Sequence, residues 1–320
     1  MTELKAADMK PLTKLERIGM PMTLEQIEDN SFSDAKNLRW ADFMMCGNAD
    51  LMTDLQNGGL RKKGFTEKTL CFMPGEYGVT DEVNVAAPEA PGAVQLRAKT
   101  IRIYDGLDYV MPYSVDAETI ENTRTLPRSD KPYSVCLPYS LSIPEGAVVY
   151  RLDDCNSNEL VFKAVDSNFM MEGQPYLVRA TNDVSLDTRN QMLNADNQMW
   201  PGQQDVTGFT MRGTINSIPN AEASDLGAYV LQSDGKWHAV MTDTDGHRGV
   251  SIPAYRCYLL KNRGAWARTI SMTLDDNSTG IDRIRTIDND GTERLYDLNG
   301  RLIDGNAKGV VIKNGKKVIN

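Results

Sequence analysis

YSVCLPYSL (residues 133–141), AVVYRL (147–152), ELVFKAV (159–165) and QPYLVRA (174–180) decide the fold class of this 320-residue chain. All four are short apolar runs rich in Val, Leu, Tyr and Phe. Between them lie IPEG (143–146), DDCNSN (153–158) and SNFMMEG (167–173). Runs of this length and composition, bounded by Gly, Pro, Asn and Asp, read as strands joined by turns. Their even spacing predicts an antiparallel sandwich or barrel.

Downstream, GFTMRGTI (208–215), GAYVLQS (227–233), KWHAVMT (236–242), AYRCYLL (254–260) and TISMTL (269–274) continue the pattern. Asp234-Gly235 between two of them predicts a hairpin, because a tight turn there needs positive φ. Residues 186–205, LDTRNQMLNADNQMWPGQQD, are polar and without period, and read as a long loop. Upstream, KTIRIYDG (99–106), DYVMPYSV (108–115) and TIENTRTL (119–126) alternate in a way that suits a sheet with one solvated face. The sandwich-like domain is therefore expected over 98–277. TLCFM (69–73) reads as one strand. The polar QNGGLRKKG (56–64) and the Pro-rich VAAPEAPG (85–92) read as connector and exposed loop, placing residues 61–97 between domains.

Residues 1–60 repeat. Leu15 and Leu38 are 23 positions apart, as are Met20 and Phe43. A period between 20 and 29 with Leu at the restart predicts stacked strand-and-return units, none of which buries its apolar face alone. The string LERIGMPMTLEQIEDNSFSDAKNL (15–38) has the form L-x-x-I-x-x-P-x-x-L-x-x-I-x-x-x-x-F-x-x-x-x-x-L. It resembles the BspA-like leucine-rich repeats of surface proteins from anaerobic Gram-negative bacteria. The resemblance covers one full unit and part of a second, and implies the terminal end of a longer array. The central strand strings also look like the β-domain that accompanies such repeats in secreted proteins, which adds architecture and no chemistry.

Residues 278–320 form the third segment. Strands are expected at 294–297, 309–313 and 317–319, separated by Asn-Gly and Asp-Gly turns. YDLNGR (296–301), KGVVI (308–312) and NGKK (314–317) resemble the C-terminal sorting domains carried by cargo of the type IX secretion system. Val311 stands where an aromatic is usual. The resemblance implies a secreted or cell-surface setting. The segment MTELKAADMKPL (1–12) carries no apolar block of the secretory type, so either the protein stays in the cytoplasm or the natural start lies upstream.

Composition bounds the function. Hydrophobic residues make up 41% and charged residues 25%, as in ordinary globular proteins. The net charge of −9 argues against nucleic acid and against docking on an anionic membrane. No apolar run reaches the roughly 18 residues of a spanning helix. None of the five cysteines forms a C-x-x-C pair, so no zinc ribbon or redox motif is expected. Cys136 and Cys257 lie in apolar runs and read as buried thiols; Cys155 lies in a polar turn and reads as exposed.

No catalytic motif occurs, and no cofactor site is expected. His238 and His247 flank Asp243 and Asp245, but that spacing matches no metal loop, so no metal is expected and His238 reads as half-buried and structural. The expectation is a non-enzymatic surface or secreted interaction protein, adhesin-like, with a host or matrix protein as partner. The alternative is a carbohydrate-binding module of a surface glycan system, with Trp200, Trp237 and Trp266 as ligand-binding candidates. Trp200 can equally tuck into the sandwich edge.

Overall fold

The computed structural model describes residues 1–156, 159–195, 201–243, 249–262 and 267–276, together with four strands nearer the C-terminus. The chain separates into two compact units, Met1–Leu274 and Asp275–Asn320. It is mainly β and sandwich-like, with 40% strand and 8% helix.

The first unit begins with β1 (Glu3–Leu4), β2 (Arg17–Gly19), β3 (Gln26–Ile27) and β4 (Trp40–Asp42). β1 pairs with β3 and β2 with β4, both parallel, placing Glu3 opposite Gln26 and Arg17 opposite Trp40. The 23-residue spacing read from Leu15 and Leu38 is thus a strand register. Inside the turns, Leu24, Ile27, Phe32, Leu38 and Phe43 are buried in one core. Phe32 stacks on Phe65 with centroids 4.3 Å apart. The next turn is longer and holds α2 (Ala49–Leu55) and α3 (Gly59–Lys62), α1 (Ala6–Met9) having preceded β2. Asn48 caps α2 by accepting from Leu51 N at 2.8 Å.

The parallel ladder continues into β5 (Leu70–Phe72) and β6 (Val85–Pro88). This corrects two expectations. Residues 56–64 are not simply a connector, since they carry α3. VAAPEAPG does not begin as an exposed loop, since all four residues of β6 are buried. Proline cannot donate to a ladder, but Pro88 sits at the last position of β6, where that loss matters least.

β6 turns back antiparallel onto β7 (Leu96–Ile103), and β7 lies parallel to β8 (Val115–Asn122). The segment over 98–277 is therefore not uniformly antiparallel. No break falls at residue 60 or 97: β2, β4, β5, β6, β7 and β8 are successive neighbours in one sheet. Its other end is β17 (Thr188–Leu193), reached after β9 (Thr125–Leu126), β10 (Tyr133–Val135), β11 (Leu141–Ser142), β12 (Ala147–Asn156), β13 (Glu159–Ala164), β14 (Phe169–Met170), β15 (Tyr176–Ala180) and β16 (Val184–Ser185). β17 lies inside the stretch expected to be a loop. It is a polar edge strand with one buried residue, Leu193, so it carries little apolar signal.

The second large sheet takes in β18 (Gln203–Val206), β19 (Phe209–Thr214), β20 (Ala228–Leu231), β21 (Trp237–Ala239), β22 (Arg256–Lys261) and β23 (Thr269–Asp275). Its ten strands run β10-β15-β12-β13-β23-β21-β20-β22-β19-β18, and the sheet curls. The curl brings its ends onto inner strands. Cys136 N, just after β10, donates to Tyr255 O beside β22 at 3.2 Å. Gln204 of β18 accepts from Leu152 N of β12 at 2.7 Å and donates to Pro175 O at 2.7 Å. That glutamine serves the backbone where the β12–β13 register shifts between Leu152 and Asp154. The expected hairpin is present: Leu231 faces Trp237, and Gly235 has φ 78°.

The two large sheets share a core that includes Ile101, Val115 and Ile120 from one and Tyr150, Phe162 and Trp237 from the other. β5 and β6 belong to both cores. Cys71, Val85 and Ala87 point into the N-terminal turns, whereas Leu70, Phe72 and Ala86 point into the sandwich. Alternation along a strand makes this division automatic.

The second unit is a four-stranded antiparallel sheet of β24 (Leu295–Tyr296), β25 (Leu302–Ile303), β26 (Val310–Lys313) and β27 (Lys316–Ile319), in the order β25-β24-β26-β27. It has one strand more than the sequence pattern predicts.

Candidate functional site

The outward positions of the parallel ladder alternate with its buried ones. Leu38, Ala41 and Phe43 point inward and are buried. Trp40 and Asp42 point the other way and are half-buried, while Arg17 and Gly19 on β2 are exposed. Further along, Leu70 and Phe72 are covered.

The segment following β7 helps to cover them. Tyr113 donates from its hydroxyl to Asp42 Oδ2 at 2.8 Å. Its ring meets Phe72 edge-on at 5.3 Å, and Phe72 meets Trp40 edge-on at 6.3 Å. Asp42 Oδ1 is taken by Met44 N at 2.9 Å. Arg39 Nε lies 3.8 Å from Asp108 Oδ1, and Tyr109 donates to Lys68 O at 2.9 Å. Tyr109 and Met111 are buried in the sandwich core, so the segment is anchored rather than loosely laid. Burial, and then the Asp42 carboxylate beside it, push the Tyr113 phenol up to about 12, so it stays a donor at neutral pH. Burial and Asp42 likewise push the Cys46 thiol up to about 11.

Phe72 is fully buried and both Asp42 oxygens are bonded, so the half-buried Trp40 and Tyr113 are the parts of this cluster that face outward. The cluster joins residues 71 positions apart, and no local motif marks it.

The tryptophan candidates fall differently. Trp237 is wholly buried, stacked on Phe162 with centroids 6.2 Å apart and 14° between planes. A ring with no exposed face cannot lie against a sugar, so Trp237 is a core residue and not a ligand platform. Trp200 and Trp266 lie outside the described residues. His238 is half-buried at the hairpin, its Nε2 2.9 Å from Asp234 Oδ2; Asp245 and His247 lie outside the described residues. Among the described residues, no group of three His, Cys, Asp or Glu is placed to hold a metal. Cys46, Cys71, Cys136 and Cys257 are buried, and Cys155 is half-buried rather than exposed. Among the described residues, no helix is long and apolar enough to cross a membrane. No protein-family model, curated protein or solved structure matches the chain.

Proposed function

We propose that this chain is the closing end of a BspA-like leucine-rich-repeat protein, secreted or held at the cell surface, and that its role is interaction rather than catalysis. In this reading the parallel ladder is the end of the repeat array, and the sandwich is its cap and spacer. The four-stranded C-terminal sheet is related to a type IX sorting domain. The partner is a host or matrix protein.

One observation carries the reading. The ladder keeps a 23-residue register through β1–β4 and is closed at β5 and β6 by a second core, while β1 and β2 are edge strands. Stacked turns present an extended surface for binding, and such arrays need a distinct end. The carbohydrate alternative is weaker, because its one describable candidate, Trp237, is buried.

The test is binding of the purified chain to paired arrays of matrix proteins and glycans. Saturable matrix-protein binding that falls at least tenfold on Arg17→Glu, on the exposed strand face, supports the proposal. Glycan binding abolished by Trp200→Ala replaces it with the carbohydrate reading. Silence on both arrays removes the binding role from this chain and leaves that of a cap.

A further inference from the structure

Cys136 and Cys257 are buried thiols to which the interaction reading gives no role. Cys257 lies on β22 directly opposite Gly213 of β19. Opposite residues of an antiparallel pair share a face, with Cβ atoms about 4.5–5.5 Å apart. Gly213 has no side chain, and Cys136 uses that room. A Cβ built on Gly213 would lie 2.4 Å from Cys136 Sγ and 3.1 Å from Cys136 Cβ. So Cys136 stands where the cross-strand neighbour of Cys257 would be. The backbone agrees: Cys136 N bonds to Tyr255 O, two residues before Cys257. Cys257 Sγ is 3.1 Å from Val135 O, the carbonyl of the peptide that leads into Cys136. That carbonyl oxygen is about 2.8 Å from Cys136 Cα by covalent geometry, which places Cys257 Sγ within about 6 Å of Cys136 Cα.

We propose that Cys136 and Cys257 are a disulfide-forming pair, closed when the chain folds in an oxidising setting, and that the bond fastens the β10 end of the curled sheet to β22. Each thiol has one proton to donate: Cys136 gives it to Gly173 O at 3.3 Å, and Cys257 to Val135 O at 3.1 Å, with Tyr176 O next at 3.5 Å. Losing these weak bonds strands little. Gly173 O also accepts from Gly202 N at 2.7 Å, and Val135 and Tyr176 are partners in the β10–β15 ladder.

The chemistry is thiol–disulfide exchange with a low-molecular-weight disulfide such as oxidised glutathione. The thiolate of one cysteine attacks the small disulfide, forms a mixed disulfide and releases one small thiol. The second thiolate attacks the protein-side sulfur and releases the other. Two electrons pass to the small disulfide, and the two thiol protons end on the released thiols. Burial pushes the Cys257 thiol up to about 12 and Cys136 upward too, so the folded thiols react poorly. Closure therefore belongs to folding, before β10 packs.

The test refolds the full chain from denaturant in a glutathione redox buffer, then alkylates and maps it by mass spectrometry. The expected result is one linked Cys136–Cys257 peptide, lighter by two hydrogens, with Cys46, Cys71 and Cys155 alkylated on unfolding. A bond across this long loop raises Tm by at least about 5 °C, and reductant removes the increment. Cys136→Ala abolishes the reductant-sensitive part. Native-like refolded protein with five alkylatable thiols, or with a link through Cys46, Cys71 or Cys155, overturns the proposal. The linkage map uses the unmodified chain, so the outcome holds even if Cys136→Ala folds badly.

Discussion

At one end of the parallel ladder, Leu70 and Phe72 leave the turns and enter the sandwich core. At the other, Leu15 and Ile18 are only half-buried, although Leu38 and Ala41 occupy the same positions one register later and are sealed. The inward residues are apolar at both ends, but the outward ones differ: Arg17 and Gly19 of β2 stand in register with Leu70 and Phe72 of β5, and only the apolar outward face carries a second layer. β5 and β6 are closed because β6 reverses onto β7, which carries the sandwich with it. β2 is an edge, with Arg17 and Gly19 outward and exposed. A repeated turn therefore has no fixed stability of its own; its neighbours set it.

The largest effect is expected where both cores meet. Phe72→Ala empties a fully buried site between Trp40 and Tyr113 and should cost about 3–5 kcal/mol in urea unfolding. It should also loosen the turns and the sandwich together. Hydrogen exchange that speeds up in β7 and β8 but leaves β4 protected would show the two cores to be independent.

Next, equivalent leucines separate position from identity. Leu38→Ala should cost about 2–4 kcal/mol, and Leu15→Ala half of that or less, because Leu15 already faces water in part. Equal losses in denaturation would mean that the β2 end is as well covered in solution as the next turn, and the contrast between the ends would fail.

Lys63 probes how the turns are stitched. Its ammonium is nearly buried and lies 2.8 Å from both Asp29 and Asp54. Burial alone would lower its pKa, but the hydrogen bonds and charges of the two carboxylates outweigh that and raise it. The Lys63 hydrogen bond and charge hold Asp29 below its ordinary 3.8. Lys63→Met should cost about 1–2 kcal/mol near neutrality, since both carboxylates are half in water and screened. The signs fix the window. The lysine contribution is full below about 10.5 and lost as pH rises beyond it; the aspartate contribution is full above 3.8 and lost as pH falls. The difference between variant and parent should therefore shrink in acid. A pH-independent difference would assign the loss to packing instead.

Much of this architecture is legible in residues. The Leu15–Leu38 spacing becomes the β2–β4 register because a parallel ladder turns a sequence period directly into neighbours. Asp234-Gly235 marks its hairpin because only a positive φ makes that turn. β6 is hidden because VAAPEAPG looks like punctuation, yet tertiary cover from two cores overrides its prolines. β17 is hidden because an edge strand needs few apolar residues. The Trp40–Asp42–Phe72–Tyr113 cluster is hidden for a different reason: it is assembled by a non-local crossing and leaves no periodic trace. Trp237 misleads because the apolar ring that could meet a sugar fills a core equally well; alternation places it opposite Leu231, with no hint of the Phe162 stack.

The smallest effect reaches that cluster. Tyr113→Phe keeps the ring on Phe72 and removes only the donor to Asp42, which retains Met44 N on its other oxygen. Losing one half-buried bond should cost about 1 kcal/mol. Alkaline pH gives a second reading. The folded phenol titrates at about 12 against an ordinary 10, so its contribution is present below pH 10 and is lost between about 10 and 12. The buried Tyr77, Tyr109 and Tyr139 also rise, so the parent should lose stability steeply over that range and the variant slightly less steeply. If the two curves run parallel and the neutral-pH cost vanishes, the Tyr113–Asp42 bond contributes nothing in solution. The cover over Phe72 would then be held by ring packing and by the anchored Tyr109 and Met111, without help from the Asp42 carboxylate.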